Sequence, residues 1–437
     1  MWQEAIMKRE QSLFWAAVSK VLAVIAVTLI VALIHAPSAW ASGKYKILYN
    51  FTGGADGSTP YEGLVLDTTG NLYSTTTAGG ASGNGTVFKL TKNSDGSWTE
   101  SVLYSFAGGT DGATPYAGLT FDASGNLYGT TFYGGAYSAG TVFQLVSNSN
   151  GTWTENVLYS FTGGSDGAYP EWCGVTIDAT GTLYGMTTEG GSQGMGVVYK
   201  LTPNSGGGWT YGLLHTFTGG KDASFPAAGT LTFDTAGNLY GAASDGADNN
   251  GNCPNSNDCG SIFELTQSGG NWTEQVIFRF TGDTNGGQSR RPFSLLVFDS
   301  TGRLYGTTGG GGGWYGTAFK LTLGAKGKWN ERVLHVFQGN QDGAYPTSSV
   351  VFDTAGNLYG STVFGEDENG ACCYGQVFKL AAHSHGWTKR TPHRFQGPPK
   401  DGSNGGAPVV FDSAGNLYGT SWDGGTSGAG VVFEIMK

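Results

Sequence analysis

The chain has 437 residues, of which 76 are glycine, while Asp, Glu, Lys and Arg together make only 13%; glycine is enriched about twofold and charge is about half its usual share. Hydrophobic residues at 39% and aromatics at 13%, spread over the whole length, suffice for a large core and exclude disorder, and the glycines lack the three-residue period of collagen. With 23 basic against 33 acidic residues and a net charge of -10, no basic surface is left for a phosphate backbone, which excludes nucleic acid as a partner.

Residues 1–41 read as a secretory signal peptide. Lys8, Arg9 and Lys20 precede an apolar run from Val21 to Ile34, and Ala39-Trp40-Ala41 places small residues around a cleavage position. The run is shorter than the roughly 20 residues of a membrane span, although Phe14 to Val18 would extend it if the segment stayed as an anchor. The expectation is a cleaved leader and an exported chain, extracellular, cell-surface or periplasmic, with no membrane association after cleavage. Five cysteines suit an oxidising compartment. Cys253 and Cys259 share one loop and are expected to pair; Cys372 and Cys373 could form a vicinal disulfide, which leaves Cys173 as the odd one. Zinc is the competing reading, but no C-x2-C pair or matching histidines accompany these residues.

The rest of the chain repeats itself. A motif F-D-x-x-G-N-L-Y-G-T-T carries its tyrosine at Tyr73, Tyr128, Tyr184, Tyr240, Tyr305, Tyr359 and Tyr418. Each unit holds four short strand patterns, illustrated by Gly118–Phe121, Asn126–Thr131, Gly140–Leu145 and Trp153–Phe161, each β-branched or aromatic and bounded by turn residues. Four antiparallel strands repeated seven times predict an all-β, seven-bladed β-propeller. The last unit stops at its third strand, Val431–Ile435, and the missing fourth stands at Tyr45–Phe51. A shared blade would close the ring and remove its open edge. The propeller is thus expected over residues 44–437, with blades at about 60–106, 115–161, 170–217, 226–280, 292–337, 346–395, and 405–437 plus 44–51.

Every unit keeps D-x-x-G, from Asp67 and Gly70 to Asp412 and Gly415. The Asp caps a turn through backbone N–H groups and the Gly supplies a positive φ, so these read as hairpins between first and second strands rather than metal ligands. With Gly-Thr-Val-Phe-Lys-Leu and Leu-Tyr-Ser-Phe-Thr-Gly-Gly-x-Asp-Gly-Ala-x-Pro, the units resemble the GloVer-type (choice-of-anchor) tandem repeat of exported bacterial proteins over nearly all of residues 45–437. That resemblance implies export, a propeller-like fold and usually no assigned activity; the C-terminal sorting segment of some members has no counterpart after the strand that ends near Lys437. A weaker likeness to NHL repeats and gluconolactonase-type propellers rests on Gly-Asn-Leu-Tyr, which here continues to Gly-Thr-Thr instead of an acidic residue.

Loops from fourth to first strands and from second to third strands share one face, called the top, and the insertions after Tyr240 and Tyr359 both fall there. Its Asp56, Asp111, Asp166, Asp222, Asp342 and Asp401, in G-G-x-D-G loops, read as turn residues, with calcium as the sharper alternative. The aromatics Tyr61, Tyr116, Tyr169, Trp172, Phe225, Trp314, Tyr345 and Trp422 are candidates for a ligand surface, since rings pack on the apolar C–H patches of sugars. The fourth-strand tryptophans read as packing. No nucleophile elbow, nucleotide loop or triad order is present. The expected function is a monomeric, non-enzymatic binding scaffold without a catalytic residue or required cofactor, its partner a carbohydrate or cell-surface protein. The alternative is an extracellular lactonase, lyase or glycosidase whose acidic residues converge at the central channel.

Overall fold

A computed structural model describes residues 43–226, 229–246, 259–281, 289–311, 313–366 and 374–437. The leader and three of the paired-cysteine candidates, Cys253, Cys372 and Cys373, lie outside these residues. Among the described residues no helix is long and apolar enough to cross a membrane.

From Lys44 onward the strand patterns form seven antiparallel blades. Blade 1 comprises Val65–Leu66, Leu72–Thr76, Thr86–Lys92 and Trp98–Ser105 in spatial order. Blades 2 to 6 repeat this order, their second strands being Leu127–Thr131, Leu183–Thr187, Leu239–Ala243, Leu304–Gly311 and Leu358–Thr362. Blade 7 takes Val410–Phe411, Leu417–Ser421 and Val431–Ile435 from one end of the sequence and Tyr45–Asn50 from the other. Tyr45 pairs with Ile435 and Asn50 with Val431, so the ring closes through a shared blade.

Two sets of aromatic contacts hold neighbouring blades together. In the middle layer the phenylalanine that ends each fourth strand meets the third-strand aromatic of the next blade, centroids 5.1 to 5.3 Å apart: Phe51–Phe88, Phe106–Phe143, Phe161–Tyr199, Phe217–Phe263, Phe280–Phe319, Phe337–Phe378 and Phe395–Phe433. These rings are fully buried or nearly so, and edge-to-face pairs add to the area they bury. They also explain the glycine of Leu-Tyr-Gly: a Cβ on Gly129 would stand 2.6 Å from the Phe143 ring. Further out, Trp98, Trp209, Trp272, Trp329 and Trp387 pack edge-on against the repeat tyrosine of the preceding blade.

The repeat tyrosine is tied at its other end. In all seven blades its hydroxyl donates to the D-x-x-G aspartate at 3.0 to 3.3 Å, from Tyr73–Asp67 to Tyr418–Asp412. That aspartate also receives backbone N–H groups two and four residues on, as Asp122 does from Ser124 and Asn126. Partial burial raises the Asp67 pKa, but hydrogen bonds from Asn71, Thr69 and Tyr73 outweigh it and hold the carboxyl at about 2.

The loops expected to share the top face do so in every blade. Each fourth-to-first loop pairs with the second-to-third loop of the blade it enters, as Ser58 with Ala78, Ala113 with Tyr133 and Gly402 with Gly424. The residue before the turn proline, or before Gly405 in the last blade, is held at positive φ seven times, at Thr59, Thr114, Tyr169, Phe225, Arg291, Tyr345 and Asn404. Each donates its N–H to a carbonyl of the preceding blade, as Thr59 to Ala429 and Tyr345 to Tyr315, so contact between blades maintains the strained backbone.

Candidate functional site

The segments that lead into the innermost strands run around the central channel, and carbonyls in them fasten the ring. Threonine or serine of the second strand donates to this backbone of the next blade in five blades: Thr75 to Pro115, Thr130 to Cys173, Thr307 to Ser348, Ser361 to Ala407 and Thr420 to Glu62. Met186 and Ala242 replace this hydroxyl in blades 3 and 4. The side chains at the top end of the inner strands are free to differ, and they do.

A cavity of about 150 Å³ opens there, lined chiefly by Tyr61, Glu62, Trp172, Phe293, Leu295 and Ser349. The first residue after the turn proline supplies Tyr61, Tyr116 and Phe293, while Trp172 follows Pro170 by one residue more. Tyr61 stacks on Trp422, centroids 3.9 Å apart and planes 15° off parallel. On its other sides stand Trp172 at 6.1 Å and Tyr116, edge-on, at 5.4 Å. Phe293 meets Trp172 edge-on at 6.4 Å, and Phe132 links Tyr116 to Tyr169. Glu62 is the only ionisable carboxyl in the lining; burial among these rings pushes its pKa up to about 8, against one backbone N–H, from Gly63 at 3.3 Å. At neutral pH it is mainly a neutral acid, able to donate as well as accept.

Four of the eight candidate aromatics therefore converge: Tyr61, Tyr116, Trp172 and Trp422. Tyr169 joins through Phe132. Phe225 shows no ring partner among the described residues. Trp314, 54% exposed, lies under the Arg290 guanidinium, and Tyr345 pairs with Phe364. Glu62 and Phe293 belong to the site without having been singled out; aligning every unit on its D-x-x-G aspartate would have put Phe293 in register with Tyr61.

The G-G-x-D-G aspartates sit elsewhere, at the outer rim. Asp56, Asp111 and Asp166 each accept a phenol proton, from Tyr49, Tyr104 and Tyr159 at 2.9 to 3.0 Å. Asp222, Asp342 and Asp401 face His215, His335 and His393 instead, at 3.3, 3.0 and 2.9 Å. Histidine thus replaces tyrosine with the same partner. Each carboxylate also accepts a backbone N–H of its own loop, as Asp56 does from Thr52 and Asp222 from Thr218. Cys173 is buried, its thiol 3.1 Å from the Pro226 carbonyl oxygen, and Cys259 is buried.

Fold and site define a seven-bladed β-propeller with an aromatic, nearly uncharged channel mouth. The sequence matches the Gloeobacter/Verrucomicrobia repeat over residues 38–254 and 251–437, and the chain belongs to that family. No curated protein matches it in sequence. Among solved structures, the extracellular domain assigned to a hybrid two component system from B. thetaiotaomicron superposes with a TM-score of 0.52 at 12% identity, over 90% of this chain and 41% of that one. This chain thus spans about two fifths of that neighbour. A gluconolactonase from Xanthomonas campestris aligns at 15% identity over 75% of this chain and 88% of its own, with a TM-score of 0.40. An oxidoreductase (glucose dehydrogenase) of a Thermus species aligns at 14% over 74% and 96%, also at 0.40.

Proposed function

We propose that the protein is an exported binding propeller that takes a carbohydrate, free or on a cell surface, at the mouth of its channel. The observation that carries this reading is the stack of Trp422, Tyr61 and Trp172 beside a cavity whose polar side-chain groups are the Glu62 carboxyl, the hydroxyls of Tyr61, Thr347 and Ser349 and the Trp172 indole N–H. Aromatic faces accept the C–H side of a sugar ring while a few fixed polar groups orient its hydroxyls. Export rests on the leader-like segment and on the family resemblance, and a Cys253–Cys259 disulfide would suit the same compartment. The test is binding of the purified protein to a glycan array, followed by titration of any hit with tryptophan fluorescence. Trp172→Ala and Trp422→Ala should each abolish binding; flat signals across neutral and acidic polysaccharides would overturn the reading.

The enzymatic alternative draws on Glu62, whose raised pKa suits a general acid. Glycosidases need a second carboxyl some 5 to 9.5 Å away, whereas Glu62 is the one carboxyl among the described lining residues. Release of product from a bound oligosaccharide by the wild type, lost in Glu62→Gln, would favour this second reading.

A further inference from the structure

Among the described residues the outer top corners between blades carry polar clusters, and one of them has the donors of a metal site. Between blades 3 and 4, His215 Nε2, Asp222 Oδ2 and a Glu274 carboxylate oxygen all lie within 4.8 Å of one another. His215 to Asp222 is 3.3 Å, and His215 to Glu274 Oε2 is 4.0 Å. The Glu274 side chain is only 9% exposed, and its Oε1 has no hydrogen-bond partner among the described residues. The neighbouring Arg279 sends its Nη2 to the Lys221 carbonyl, 2.8 Å away, rather than to this carboxylate.

The corresponding corner between blades 5 and 6 shows what is missing. There His335 and Asp342 repeat the pair, and the position of Glu274 is taken by Lys389; both residues stand opposite the same third-strand leucine, Leu265 and Leu380. The Lys389 ammonium, 8% exposed, lies 3.2 Å from Asp342 and completes the corner with a positive charge. Between blades 3 and 4 an anion stands where that cation would be. Glu100 and Glu155 occupy the same register in blades 1 and 2, but there the third group is a phenol whose proton is given to aspartate, not an imidazole with a lone pair to donate.

We propose that His215, Asp222 and Glu274 bind a divalent cation, which bridges blades 3 and 4 as Lys389 bridges blades 5 and 6. One nitrogen and two carboxylates favour zinc over calcium, which prefers an all-oxygen shell. Donors around tetrahedral zinc stand about 3.4 Å apart at bond lengths near 2.1 Å. His215 and Asp222 already have that spacing at 3.3 Å, and the Glu274 oxygen, 4.0 Å from His215, has to move inward to reach it. Water would complete the shell on the solvent side.

The test is titration of the chelator-stripped full protein with Zn²⁺, with Co²⁺ absorption as a readout of nitrogen and oxygen coordination. One ion should bind per chain with a rise in melting temperature. His215→Ala and Glu274→Gln should lose both, and Glu274→Lys should lose the ion while melting near the zinc-loaded wild type. His335→Ala, at the corner already closed by lysine, should bind zinc normally. No stoichiometric ion, or equal binding by wild type, His215→Ala and Glu274→Gln, would overturn the assignment; if Glu274→Lys does not fold, the other two variants decide.

Discussion

The middle layer of the ring and the mouth of its channel are built from the same seven units and obey opposite rules. In the middle layer every unit contributes an edge-to-face aromatic pair, a tyrosine–aspartate bond and, in six units of seven, a glycine under the third-strand ring; Ser74 is the exception. At the mouth the same register carries Tyr61, Tyr116, Trp172, Phe293, Thr347 and Gly406 in different blades, and one blade adds Glu62. Uniformity marks the groups that hold blades together, and departures mark where a ligand could be distinguished.

That contrast can be broken at the layer first. Phe143→Ala removes a fully buried ring from a blade interface and should cost about 3–5 kcal/mol; a denaturation midpoint close to wild type would show that the ring is dispensable. Asp122→Ala removes the acceptor of two backbone N–H groups, the Asn126 amide and the Tyr128 hydroxyl. A loss of about 1–3 kcal/mol is expected by the same measurement.

A smaller effect is expected from pH. Burial raises Glu62 to about 8, and raises Glu100 and Glu155 to about 7, from the ordinary glutamate value of 4.5. The folded chain therefore binds more protons than the unfolded chain between about pH 4.5 and 8, so these groups contribute stability at low pH that is lost as pH rises through that window. Melting temperature against pH should fall there, and Glu62→Gln should remove the part nearest pH 8; a curve that rises steadily to pH 8 in both proteins would contradict the assignment. Last, Trp422→Ala should change stability by under about 1 kcal/mol, because it covers the half-buried Tyr61 and not the core. A loss as large as that of Phe143→Ala would make Trp422 part of the scaffold.

The sevenfold scaffold was legible because its signals are local. D-x-x-G, Leu-Tyr-Gly and the strand runs each span a few residues, and the displaced fourth strand at Tyr45–Asn50 announced the closure seen in its pairing with Val431–Ile435. The mouth was half legible. Tyr61, Tyr116, Trp172 and Trp422 stood out as top-face aromatics, but which of them meet depends on rotation about the channel axis, a long-range property that no short window carries. Glu62 occupies an ordinary place beside a strand, and only its enclosure by rings from other blades makes it unusual. His215 and His335 stand where Leu-Tyr-Ser-Phe has its tyrosine, which a short window shows; the bond to the loop aspartate, and the choice between Glu274 and Lys389 across the blade boundary, required the fold.

The shared blade has a consequence for how the ring is made. Tyr45–Asn50 is the first strand of the propeller to be synthesised, and its partner, Val431–Ile435, is nearly the last. Through almost the whole of synthesis that first strand has no native edge to join, and closing it spans the longest loop the chain can form. Closure therefore joins the two extremities of the propeller, and until then Tyr45–Asn50 lacks its backbone partner and the ring faces that the first and last blades turn to each other stay uncovered.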